Sequence, residues 1–204
     1  MPRSNNDEAV ETAKKTSQLD ERIDEFLLKQ RRVFLSSQVD DASARAVIRK
    51  LWYLDSLDSS KPILFVIHSP GGSVDSGLAI WDQIKMISAP VYTLVTGLAA
   101  SMGSVLSLAA EKGKRFASPM ARIMIHQPMI SGVMHGQATD LEIQAKEILK
   151  TREQLVGLYA EKTGKDRAAI EKALDRDTWM NAQEALAFGL IDKIVTSFKD
   201  FEKM

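Results

Sequence analysis

The apolar positions of this chain fall into two patterns: short unbroken runs, and longer stretches with helical spacing. Pro62-Ile-Leu-Phe-Val-Ile67 and Val91-Tyr-Thr-Leu-Val95 are continuous runs, as expected of strands buried on both faces of a sheet. Val33-Phe34-Leu35, Arg115-Phe116-Ala117 and Arg122-Ile-Met-Ile125 predict further strands. Between the runs, Ala42–Leu54 and about Val74–Ile87 carry helical spacing. Gly97 is expected to close the second run, with a small-residue helix starting near Ser101. Residues 19–30 place Ile23, Phe26, Leu27 and Leu28 on one side of a short amphipathic helix. A short helix near Ala182–Phe188 and a strand over Leu190–Val195 finish the pattern. Strand–turn–helix units of this length predict an α/β fold with a largely parallel sheet and right-handed crossovers.

Ala138–Thr163 contains no proline and only one glycine, so a single long helix is expected there. Leu141, Ala145, Ile148, Leu155 and Tyr159 form one stripe, while Glu142, Lys146, Glu147, Lys150 and Glu153 belong on solvated faces or in i,i+4 pairs. Such a helix is longer than one small domain needs to cover its core. The excess length points to contact with another subunit, a long helix lying across its own domain being the alternative. Residues 1–18 lack apolar periodicity and predict a mobile N-terminal arm; 19–197 predict one domain, and 198–204 a C-terminal tail.

Composition narrows the class. The 204 residues include 27 Lys plus Arg and 27 Asp plus Glu, a formal net charge of zero. That balance argues against a nucleic-acid binder, which would carry a basic excess on one face, and favours self-association. Cysteine is absent, which removes disulfides, thiolate metal sites and cysteine nucleophiles from consideration and fits a reducing, cytoplasmic interior. There is no apolar run long enough for a membrane span and no secretory pattern at the N-terminus. HExxH, GxGxxG and Walker sequences are also missing, so neither a metal nor a nucleotide is expected on this chain.

Chemistry concentrates at the strand ends. In Gly97-Leu-Ala-Ala-Ser101-Met-Gly103 a buried strand gives way to a helix at a serine. Free N–H groups there can stabilise an anion, although a serine at such a turn is more often only a helix cap. Ser69-Pro-Gly-Gly72 follows the neighbouring buried run, and its glycines let backbone amides approach a ligand. The amides of this turn and of Met102 could together serve an oxyanion. Of the histidines, His126 ends a strand before Gln127-Pro128, His68 competes by position, and His135 is expected in a solvent-facing loop. A carboxylate partner for the histidine is left open among Asp75, Asp175 and Asp177.

Taken in order, these segments resemble the ClpP family, the proteolytic subunits of Clp proteases, from about residue 20 to residue 196. The matching motifs are Ser-Pro-Gly-Gly at 69–72, Ala-Ser-Met-Gly-Ser at 100–104, Met-Ile-His-Gln-Pro at 124–128 and Gly-Gln-Ala-Thr-Asp at 136–140. Glu-Ile-Leu-Lys at 147–150 and the closing Glu184-Ala…Gly189-Leu-Ile-Asp192 match as well. The resemblance implies a crotonase-like ClpP fold, a ββα superhelix with a protruding handle helix over about 138–163. It implies Ser101 as nucleophile, His126 as base, Asp177 as the orienting acid, and Gly72 and Met102 as oxyanion donors. Ser73, Val74, Met129 and Ile130 would line a peptide held as an added strand. The implied assembly is a homo- or hetero-oligomeric double heptameric ring, fed with unfolded proteins by an AAA+ unfoldase that itself uses the ATP. No cofactor is implied for this chain.

Three departures from the family pattern stand out. Residues 1–18 are polar where the family has a hydrophobic strand. Leu64-Phe-Val-Ile-His68 replaces an aromatic-rich segment that contributes to the pocket where unfoldase loops dock. The segment Met129–Met134 is longer than usual. They point to a second paralogue working in a mixed assembly, and so to the alternative of a structural or regulatory ring subunit. Acyl-CoA chemistry on the same fold would not need the serine–histidine–aspartate set, and a Ser-Lys peptidase would need a lysine closer than Lys112 or Lys114.

Overall fold

The apolar runs become parallel strands because neither of their faces can be left in water. A computed structural model of the chain describes residues 18–129 and 136–201. Its first described residues, 18–29, are helical (α1). Then follow β1 (Arg32–Leu35), α2 (Asp41–Leu57), β2 (Ile63–Ser69), α3 (Val74–Met86), β3 (Val91–Ala100) and α4 (Met102–Ser107). β4 (Arg115–Ala117), β5 (Arg122–Ile125), α5 (Ala138–Thr163), α6 (Arg167–Leu174), β6 (Thr178–Asn181), α7 (Ala182–Phe188) and β7 (Lys193–Ile194) complete the order. The main path of the sheet runs β1-β2-β3-β4-β7, every pair parallel. Ile63, Phe65 and Ile67 of β2 lie in its fully buried centre. This parallel-rich sheet with its covering helices has the α/β architecture of the ββα superhelix.

β3 departs from the sequence expectation. It does not end at Gly97 but runs through it to Ala100. Before Gly97 it pairs with β4, Thr93–Val95 against Arg115–Ala117; after it, Leu98–Ala100 pair with Arg122–Met124 of β5. Gly97 takes φ +70°, and a Cβ there would fall 2.7 Å from the His68 ring, so only glycine lets one strand serve two partners at this bend. β5 in turn pairs antiparallel with β6.

The helix starts follow their caps. Asp40 accepts from the Ser43 amide and Ser43 answers the Asp40 amide, a capping box that opens α2. Asn181 and Glu184 do the same for α7. α5 behaves as two helices in one. Leu155, Val156 and Tyr159 are buried, whereas no residue of α5 before Leu155 is buried. At 1.5 Å per residue the 26-residue helix is about 39 Å long, and its first half projects from the core. Leu141, Ile143 and Leu149 are exposed there, so the expected stripe is core only at its C-terminal end. Ile23 and Phe26 of α1 are exposed as well.

One further expectation is corrected. The last strand is only Lys193–Ile194, because β4 offers it a partner just at Phe116–Ala117. Within the anticipated tail, Phe198–Phe201 form a 3-10 turn, and the Phe201 ring lies 5.8 Å from that of Phe116. Most of the expected N-terminal arm (1–17) lies outside the described residues.

One buried ion pair ties the late elements together. Arg115, at the start of β4, donates through Nε (2.8 Å) and Nη2 to the two oxygens of Asp192. Its Nη1 reaches the carbonyls of Lys162 at 2.8 Å and Gly189 at 3.1 Å, at the ends of α5 and α7. Asp192 also accepts from the Gly113 and Arg115 amides. Burial pushes the Asp192 carboxyl up, but the Arg115 hydrogen bonds, its charge and these amides outweigh that and hold it below its ordinary value of 3.8. A carboxyl depressed on folding stabilises above its unfolded pKa, and that contribution is lost as pH falls through the folded value. Asp192→Asn leaves the guanidinium buried without its counter-charge and is expected to cost about 3–5 kcal/mol in urea unfolding at neutral pH. The gap between wild type and variant should narrow as pH falls below the ordinary aspartate range; a gap that stays constant would exclude the pair as its source.

Candidate active site

β3, a central strand, delivers Ser101 just past its C-terminal end, and the local backbone is strained to do so. Ser101 has φ +53° and ψ −123°; Arg31 is the only other non-glycine residue with positive φ among the described residues. Such a conformation costs on the order of 1–3 kcal/mol and persists only where its surroundings enforce it. Here the Ser101 amide donates to the Met124 carbonyl of β5 at 2.9 Å. Its own carbonyl accepts from the Ser104 amide (2.9 Å), the Val105 amide (3.2 Å) and the Ser104 hydroxyl (2.7 Å). The serine stands at the cap position of α4, yet its hydroxyl caps nothing. It points instead to His126, with Oγ 2.8 Å from Nε2.

The Ser69-Pro-Gly-Gly72 turn is pressed against this serine from the β2 side. Gly71 has φ +91°, and a Cβ on it would lie 2.7 Å from the Ser101 Cβ and 2.9 Å from the Met102 nitrogen. The turn is anchored by Val39: its amide donates to the Gly71 carbonyl and its carbonyl accepts from the Ser73 amide, both at 2.8 Å. Among the described residues, none accepts from the Gly72 or Met102 amide. Met102 itself is buried, and its side chain fills the space beside Gly77 of α3.

His126 follows the last residue of β5, and the antiparallel partner strand decides what faces it. Ile125 pairs with Thr178, so His126 and Asp177 leave the ladder side by side. His126 Nδ1 is 3.1 Å from Asp177 Oδ1. A carboxylate can only accept, so the proton of a neutral imidazole sits on Nδ1 and Nε2 is free to take one from Ser101. The histidine side chain is 16% exposed and the aspartate 60%. The competing residues are held elsewhere. His68 Nδ1 is 2.9 Å from the Thr96 carbonyl. Asp75 lies in the first turn of α3, and Asp175 caps α6, its carbonyl taking a hydrogen bond from Gln127.

Among the residues expected along a bound peptide, the Ser73 hydroxyl accepts from the Ser76 amide and caps α3. Val74 packs partly against the core, and Met129 is 67% exposed. Ile130 lies outside the described residues, as do Met134 and His135. Sequence reasoning missed α6 and β6, the elements that carry Asp177. The Thr178-Trp-Met-Asn181 segment alternates too briefly to declare a strand. No group of three or more His, Cys, Asp or Glu that could hold a metal occurs among the described residues. No helix there is long and apolar enough to cross a membrane.

Comparison with known proteins places the chain beside one family. A family model described as Clp protease matches residues 15–198. The ATP-dependent Clp protease proteolytic subunit 1 of Protochlamydia amoebophila (strain UWE25) is 66% identical over 186 residues, covering 91% of this chain and 90% of that protein. The proteins of the same name from Chlamydia muridarum (strain MoPn / Nigg) and Chlamydia trachomatis serovar D are 61% and 60% identical over 182 residues, covering 89% of this chain and 95% of theirs.

Gly71→Ala tests the packing of the turn on the serine. Positive φ alone costs an alanine about 1–2 kcal/mol, and its methyl group would overlap Ser101 and Met102. A lower melting temperature is expected, with the Ser101–His126 hydrogen bond broken in the crystal structure of the variant. An intact hydrogen bond at unchanged stability would show that the turn can yield.

Proposed function

The chain belongs to the Clp protease family, and from that premise we propose that it cleaves unfolded proteins and short peptides through Ser101, His126 and Asp177. Membership makes it a serine-type peptidase and a proteolytic subunit of an ATP-dependent protease. The observation that carries the residue assignment is the unbroken row from Asp177 Oδ1 through both nitrogens of His126 to Ser101 Oγ, at 3.1 and 2.8 Å.

In the proposed mechanism Ser101 Oγ attacks the scissile carbonyl carbon while His126 Nε2 takes its proton. Asp177 stabilises the imidazolium that results and keeps Nδ1 protonated. The carbonyl oxygen becomes an oxyanion, and the Gly72 and Met102 amides donate to it. The intermediate collapses as Nε2 passes the proton to the leaving amine, leaving an acyl-serine. Water, deprotonated by the same nitrogen, attacks the ester and releases the second product with Ser101 restored. The peptide would lie extended as an added strand along Ser73, Val74, Met129 and Ile130.

A soluble particle in the cytoplasm fits this role: a double heptameric ring whose handle helices (α5) interdigitate around a closed chamber. An AAA+ unfoldase would spend ATP to thread substrates inside, so this chain needs no cofactor. We further infer a mixed ring containing a sister paralogue. The relatives are named as subunit 1, and the apolar side chains of the projecting half of α5 are exposed in the single chain. The hydrogen-bonded row favours an active subunit over a purely structural one.

Ser101→Ala is expected to lower hydrolysis of a fluorogenic peptide by at least about 10³-fold with the native mass of the assembly unchanged, and to abolish labelling by a fluorophosphonate. Asp177→Asn should retain labelling at a reduced rate. Wild-type turnover in Ser101→Ala would sink the assignment. The mixed ring fails if the isolated chain forms an active double ring that degrades substrates delivered by an unfoldase.

A further inference from the structure

Tyr159 is the largest of the fully buried side chains, and its hydroxyl group is not needed to fill the core. It lies on the buried end of α5, 55 residues from its partner in sequence, with its oxygen 2.6 Å from Ser104 Oγ. Burial pushes the phenol above its ordinary pKa, so the hydroxyl stays protonated. Ser104 is itself buried, and its Oγ is 2.7 Å from the Ser101 carbonyl oxygen. A carbonyl can only accept, so the Ser104 proton must point to Ser101 and the Tyr159 proton to Ser104. The row has one possible direction. Two separate bonds lie beside it: the Ser107 hydroxyl donates to the Ser104 carbonyl and the Thr93 hydroxyl to the Ser107 carbonyl, each at 2.7 Å.

The end of the row matters because of what shares its peptide unit. The Ser101 carbonyl and the Met102 N–H belong to one planar group and point in opposite directions. Holding the carbonyl therefore aims the amide. Two helix amides already reach that carbonyl, and the Ser104 hydroxyl is a third donor whose direction is set from another element. We propose that Tyr159 is a positioning residue: through Ser104 it holds the Ser101–Met102 peptide plane and so aims the Met102 N–H at the oxyanion. This role rests on the reading of Ser101 as the nucleophile and Met102 as an oxyanion donor. Donors to an oxyanion act only in the transition state, so misdirection should appear in kcat and spare KM.

The test is peptide hydrolysis by the assembled particle, alone or mixed with its paralogue, for Tyr159→Phe, Ser104→Ala and the double variant. Complete loss of an oxyanion donor costs about 10²–10³ in kcat, and a misdirected one is expected to cost roughly tenfold in Tyr159→Phe. KM should stay within about twofold of wild type, since ground-state contacts are untouched. Because the two residues act in series, the double variant should be no slower than Ser104→Ala alone. Wild-type kcat in Tyr159→Phe, a loss confined to KM, or losses that multiply in the double variant would each overturn the proposal. If Tyr159→Phe does not assemble, the same kcat and KM split in Ser104→Ala decides it. If Ser101→Ala stays active, or wild type never turns over, the functional reading has failed. The clamp is then judged by crystal structures of wild type and Tyr159→Phe: a rotated Ser101–Met102 peptide supports it, and a superposable one overturns it.

Discussion

The site hangs on the backbone of Ser101, held at a φ of +53° that its side chain disfavours. A relaxed serine at this point would cap the helix that follows it. The strained one turns its hydroxyl away from the helix and toward His126. Enforcement comes from three directions: β5 takes the amide, α4 surrounds the carbonyl, and the Gly71 backbone leaves no room for retreat. Each contact is an ordinary hydrogen bond or close packing, yet together they outweigh a local cost of about 1–3 kcal/mol.

Gly97 makes the second half of that arrangement available. Because β3 bends there, its first half stays in the main sheet and its second half can pair with β5. β5 then has a free edge for β6, and the antiparallel register sets His126 beside Asp177. The three side chains of the hydrogen-bonded row thus come from the ends of two strands and the start of a third. A shift of one residue in the β5–β6 register would turn one of the two partners to the opposite face.

Farther from the site, Arg115 joins the ends of α5 and α7 to the sheet through one buried guanidinium. Its pairing with Asp192 does not itself create activity; it fixes where the base of α5 stands. The same helix carries Tyr159 against α4 at one end and exposed apolar residues at the other. One helix thus runs from a packed contact with the serine's own helix to apolar side chains that are exposed among the described residues.

Much of this was legible in the chain before any coordinates. Continuous apolar runs located β2 and β3, helical spacing located α2, α3 and α5, and the family resemblance carried by the ordered motifs implied Ser101, His126 and Asp177. Burial on both faces writes itself into composition, and so does the periodicity of a helix. The residue pattern alone left Asp75, Asp175 and Asp177 equivalent, because which carboxylate meets a histidine depends on strand register and not on proximity in sequence. β6 was too short to be seen, and the continuation of β3 past Gly97 was hidden because a glycine reads as a stop. Nor could spacing tell a capping serine from one that faces a histidine. That distinction lies in a single φ angle, and only contacts from β5, the Gly71 turn and α4, all formed after the chain has folded, could impose it.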